Sequence, residues 1–100
     1  LAFMLAFETA WKALKFLLAE TQGFEVNSPM ESMKKAYQVG WLAGEDGFWI
    51  GMLRDRNLIV HAYNEPQAQA IHAHCPAFAQ ALRHLRLGLA ERYPDAFASL

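Results

Sequence analysis

Only one of the 100 residues is a cysteine. Cys75 cannot pair within the chain, so no disulfide framework substitutes for a packed core. The same scarcity leans towards a reducing compartment, and the cytoplasm is the expected location. Long apolar runs are missing as well. LAFMLAF, at the start, is broken by Glu8 and Lys12 and is too short to span a bilayer. It lacks the basic lead and cleavage site of a signal peptide. We read it as a buried helix whose beginning lies upstream of residue 1, and expect no membrane partner.

Other absences narrow the chemistry. There is no glycine-rich phosphate loop, no GxSxG elbow and no CxxC pair, so the common nucleotide-binding and hydrolase signatures are excluded. No cofactor is expected. No stretch alternates with a period of two beside hairpin turn residues, which argues against a sheet. Acidic residues are missing between Glu65 and Glu91, where Arg83, Arg86 and three histidines lie. The net charge is −1, which argues against an indiscriminate nucleic-acid coat. The stretch therefore reads as one weakly basic, solvated helix face.

What is present is a compact composition, 54% apolar and 19% charged, enough for one domain over residues 1–100. Phe3, Phe7, Trp11, Leu14 and Leu18 recur at spacings of four and three, the stripe of an amphipathic helix running to about Glu20. Lys12 and Lys15 fall off that stripe. Gly23 lies in the loop that follows. Ser28-Pro29-Met30-Glu31 combines a cap, a proline in the first turn and a capping-box glutamate. The second helix carries Met33, Tyr37 and Trp41, with Val39 and Leu42 beside them, and Gly44 as its stop. A third helix starts at the capping residue Asp46 and continues through FWIGMLRDRNLIVHAY. Asn64 caps a fourth, with Pro66 in its opening turn and a bend expected at Pro76. The expected architecture is all-α: an antiparallel, up-and-down four-helix bundle with short loops.

The third helix holds the candidate chemistry, in RNLIVHAY (56–63). Histidine titrates near neutrality and can move a proton to or from a ribose hydroxyl or a leaving oxygen. Arginine offers phosphate a planar fork of donors and stabilises transition-state charge. Arg56 is thus a candidate phosphate clamp, His61 a general acid or base, and Asn57 an orienting group. At about 100° per residue, Arg56, Val60 and Tyr63 share one face, while Asn57 and His61 share another that Arg54 joins. Arg56 and His61 diverge by about 140°, so one straight helix cannot aim both at one phosphate. Either the helix ends or distorts near Ala62, or two copies share the site across a twofold axis. Leu58, Ile59 and Val60 then serve as packing between the two faces. Arg54–Asp55–Arg56 could equally be a solvated, salt-bridged turn. His72, His74 and Cys75 resemble metal ligands only on paper, since His74 points away from the other two and no fourth ligand is evident. No metal is expected.

Three segments, FETAWKALK (7–15), SPMESMKKAYQVGWL (28–42) and WIGMLRDRNLIVHAYNE (49–65), together resemble the nucleotidyltransferase substrate-binding proteins, a branch of the HEPN superfamily. The third contains that superfamily's signature: Arg56, the polar Asn57, then His61 and Tyr63. The resemblance implies a helical bundle that dimerises around the motif helix and pairs with a minimal nucleotidyltransferase. It further implies a ribonuclease toxin in which Arg56 and His61 cleave RNA and the partner silences cleavage by adenylylating Tyr63. Arg54 is added as an electrostatic contributor by helical phase alone. The alternative implied by the family's label is a non-catalytic substrate-binding subunit of a two-component nucleotidyltransferase, with the first helix and Trp49 as its working surface.

Overall fold

In a computed structural model, residues 2–42, 44, 46–59 and 65–100 are described. They form helix α1 (Ala2–Leu17), continued by a π-helical turn (Leu18–Gln22), then α2 (Pro29–Gln38), α3 (Asp46–Ile59), α4 (Glu65–Arg92) and a short α5 (Pro94–Ala98). The described residues contain no strand. Consecutive helices are neighbours, and α1 also packs on α4, so the four main helices close a ring around one core. The expected all-α four-helix bundle is the fold, with α5 added as a small flap on α4. The 28-residue α4 sets the long dimension: at 1.5 Å per residue it spans about 42 Å, against a molecular length of 43 Å.

The apolar stripe of α1 is buried as its spacing predicts. Phe3, Phe7, Leu14 and Leu18 are in the core, and Trp11 is half-buried at its edge. The helix widens into a π turn over Leu18–Gln22, where Thr21 turns its hydroxyl back onto the Leu17 carbonyl, 2.7 Å away. Gly23 ends it in a left-handed conformation, φ 74°. Ser28 caps α2 as expected, its Oγ accepting from the Glu31 amide at 3.2 Å.

The end of α2 corrects the sequence reading. Gly40, at φ 85°, rather than Gly44, terminates the helix. The Gly40 amide donates to the Tyr37 carbonyl at 3.1 Å and the Trp41 amide to the Ala36 carbonyl at 2.9 Å, the paired bonds of a Schellman stop. Trp41 and Leu42 lie past the helix yet are buried, because the turn throws them back over the core. Tyr37, expected on the apolar stripe, is exposed and donates its hydroxyl to the Gly44 carbonyl at 3.2 Å.

As expected, α4 continues through Pro76. Pro76 is exposed, so its ring sits on the solvent side, while Ile71, Phe78, Leu82, Leu85 and Leu89 keep one stripe in the core. Burial of that stripe offsets the one hydrogen bond that proline removes. Asn64, expected as the cap of α4, lies outside the described residues, as do Val60 and Ala62.

Candidate functional site

The arginines of the motif are placed by the phase of α3. Trp49, Met52 and Leu53 bury one side of the helix, and Asp55 is buried beside them. That leaves Arg54 facing solvent and turns Arg56 towards α1. Arg56 Nε donates to Glu8 Oε1 at 2.8 Å, Nη2 donates to the same oxygen, and Nη1 donates to Asn57 Oδ1 at 2.9 Å. Its guanidinium lies 5.8 Å from the centre of the Phe7 ring, within cation–π range. Glu8 is itself held: Trp11 Nε1 donates to its other oxygen at 2.9 Å. The hydrogen bond from Trp11 and, after it, that from Arg56 keep the Glu8 carboxyl below its ordinary pKa, against the opposing effect of partial burial.

This arrangement bears on each sequence-selected residue. Arg56 and Asn57 are brought together, and the direct contact of their side chains was not foreseen. Arg54 is exposed and makes no ion pair with any described acid. His61 and Tyr63 lie outside the described residues, so their relation to Arg56 stays an expectation. Leu58 is exposed rather than packed, while Ile59 does pack against the core. Trp49 is buried and cannot serve as a surface anchor.

Two acids were missed. Glu8 appeared only as the residue interrupting an apolar run. The Trp11 three positions later was the available signal, because that spacing puts the indole over the carboxylate. Asp55 was read as part of a solvated, charged turn. It is buried instead, and its Oδ2 lies 2.6 Å from His74 Nδ1 on α4. At that distance the carboxylate accepts from Nδ1–H and holds the ring in place. Cys75, the neighbour, donates its thiol to the Ile71 carbonyl at 3.4 Å, and burial pushes its pKa up. Among the described residues no three His, Cys, Asp or Glu side chains gather to hold a metal ion. The weakly basic stretch of α4 places Arg83 and Arg86, with Lys12 of α1, along an open groove of about 830 Å3 between α1, α4 and α5. Among the described residues no helix is long and apolar enough to cross a membrane.

The fold and this site define a small all-α bundle that displays arginines from one helix, one of them fixed by an acid on another. The chain belongs to the family described as "Nucleotidyltransferase substrate binding protein like", whose model matches residues 2–91. The family's name ties its members to a nucleotidyltransferase. A crystal structure of a protein from Thermus thermophilus is similar: 41% identity, a TM-score of 0.80, covering 86% of this chain and 72% of that one. No curated protein matches the sequence.

Proposed function

We propose that the protein is the HEPN-type half of a nucleotidyltransferase/HEPN toxin–antitoxin pair, a metal-independent endoribonuclease that works as a homodimer. Arg56 clamps the scissile phosphate, His61 moves a proton as general acid or base, and Asn57 orients the group beside it. Arg54 adds positive potential from the exposed face of α3. The partner nucleotidyltransferase adenylylates Tyr63, adding bulk and negative charge that repel the substrate phosphate.

The observation that carries this reading is the restraint on Arg56. A free arginine samples many rotamers, whereas this one is gripped through Nε and Nη2 by Glu8 and through Nη1 by Asn57. Fixing a cation in advance is what transition-state stabilisation demands. A phosphate oxygen could take Nη1 from the neutral Asn57 without displacing Glu8. Histidine and arginine in one motif supply proton transfer and charge stabilisation, so the chemistry calls for no carboxylate pair.

The second reading, a non-catalytic subunit that presents substrate to the nucleotidyltransferase, is favoured by one feature of the same contact. Glu8 offsets the charge of Arg56, which weakens its pull on a phosphate. Incubating the purified protein with RNA and a chelator separates the two. Cleavage lost in both Arg56→Ala and His61→Ala supports the ribonuclease. Cleavage unchanged in both variants removes it. Co-expression with the nucleotidyltransferase should add the mass of an adenylyl group at Tyr63, and no added mass would refute the regulatory half.

A further inference from the structure

The seam between α3 and α4 holds groups that the Arg56 arrangement does not use. Asp55 is buried and fixes the His74 imidazole through Nδ1 at 2.6 Å, yet the His74 side chain stays 56% exposed. One turn earlier on the same face of α3 is Gly51. A methyl group built there would meet only one atom within 4 Å, Nη2 of Arg54 at 3.9 Å. The Arg54 guanidinium therefore folds back over Gly51, at the open side of the seam, one turn from the Asp55–His74 pair. About 6 Å separates those two positions along α3.

One further turn along, the seam opens into a pocket of about 450 Å3, with Phe48, Ala77 and Ala81 among its lining residues and Gln80 and His84 at its rim. The Phe48 ring stands edge-on to Trp49 at 84° and to Phe78 at 75°, so it is a fixed platform. Ala77 is one turn from His74 on α4, and Phe48 is about one turn from Gly51 on α3, so pocket, guanidinium and imidazole follow one another along the seam. From Phe48 to Asp55 the rise is about 10 Å, the reach of a single nucleotide.

We propose that the α3–α4 seam is a ribonucleotide-binding site separate from Arg56 and His61, sharing only the charge of Arg54 with them. The base enters the pocket and stacks on Phe48, where small alanines leave room and Gln80 and His84 can meet its polar edge. The phosphate takes donors from Arg54, whose planar fork suits two phosphate oxygens. His74 Nε2 hydrogen-bonds a ribose hydroxyl, which can donate or accept, and Asp55 is a positioning residue that holds the ring through Nδ1. Two sources share this chemistry: a free nucleoside monophosphate, or one nucleotide unit of single-stranded RNA. The proposal is independent of RNA cleavage.

Titrate the full-length protein with AMP, with adenosine and with a short single-stranded oligoribonucleotide, following imidazole and aromatic NMR signals together with calorimetry. Binding of AMP, or of the oligonucleotide alone, with shifts at His74 and Phe48 supports the site, and which of the two binds identifies the source. Arg54→Gln and Ala77→Phe should each weaken that binding by about tenfold or more, with helical circular dichroism retained. Adenosine should bind about tenfold more weakly than AMP where AMP is the ligand. No binding of either phosphate ligand at about 1 mM, or binding unchanged within about twofold in Arg54→Gln, overturns the proposal. Cleavage of the RNA by the wild type, followed in parallel, scores the ribonuclease reading separately.

Discussion

Glu8 and Arg56 are 48 positions apart in sequence and joined in space: the carboxylate of α1 accepts from Nε of the motif arginine at 2.8 Å and from its Nη2. Both side chains are a little under one-third exposed, so water screens the pair only partly. Replacing Glu8 by alanine removes these charge-assisted bonds, frees the arginine and strands the Trp11 indole donor. The expected loss is about 1–2 kcal/mol, measured as a shift in the urea midpoint with unchanged slope. The same variant should bind RNA at least as tightly as the wild type while, on the ribonuclease reading, cleaving it less well.

Acid should weaken the same link. The Glu8 carboxyl titrates below its ordinary value of 4.5 in the folded protein, first because Trp11 hydrogen-bonds to it and next because Arg56 does. A depressed folded value means that the ionised form contributes stability above the unfolded pKa, and that the contribution is lost as pH falls through the folded value. Stability of the wild type should therefore drop below pH 4.5 by more than that of Glu8→Gln. Parallel slopes of the two proteins in urea unfolding from pH 6 to pH 3 would contradict this.

The Asp55–His74 contact should be energetically coupled. His74→Gln keeps a donor near the buried carboxylate, whereas His74→Ala leaves Asp55 buried without it. The alanine variant is expected to lose about 1–3 kcal/mol and the glutamine variant less. In a double-mutant cycle with Asp55→Asn the coupling should exceed about 0.5 kcal/mol. Additive losses would mean that the contact contributes nothing to holding α3 on α4.

Gly40 tests the stop of α2. Nothing lies within 4 Å of the position of an added methyl group, so the cost of Gly40→Ala comes only from its φ of 85°. About 1–2 kcal/mol of destabilisation is expected, visible in the thermal midpoint. The same change at Gly47, which has open space and no positive φ, should be neutral or slightly stabilising.

Cys75 should react slowly. Burial raises its pKa, and its thiol donates to the Ile71 carbonyl, so little thiolate is present at neutral pH. Alkylation by iodoacetamide is expected to run several-fold slower in the native protein than in urea-unfolded protein. Equal rates would show the thiol to be open.

What the sequence by itself determined is whatever depends on neighbours a turn away. The stripe of Phe3, Phe7, Leu14 and Leu18, the Ser28 cap and the long helix through Pro76 all follow from local spacing, because helical hydrogen bonds and side-chain phase are set within a few residues. The family was legible for the same reason, since its motif is a contiguous string. Gly40 and Gly44 are alike on paper. Only the return of Trp41 and Leu42 to the core decides which of them closes α2, and that is a tertiary matter. The destinies of the three charged residues 54–56 were likewise invisible. One turn of α3 sends Arg54 to solvent, Asp55 into the seam with His74 and Arg56 to Glu8, and each outcome depends on which distant helix lies on that side. Charge and spacing name the groups able to handle a phosphate. Packing decides which of them are pinned by another residue and which still face outward.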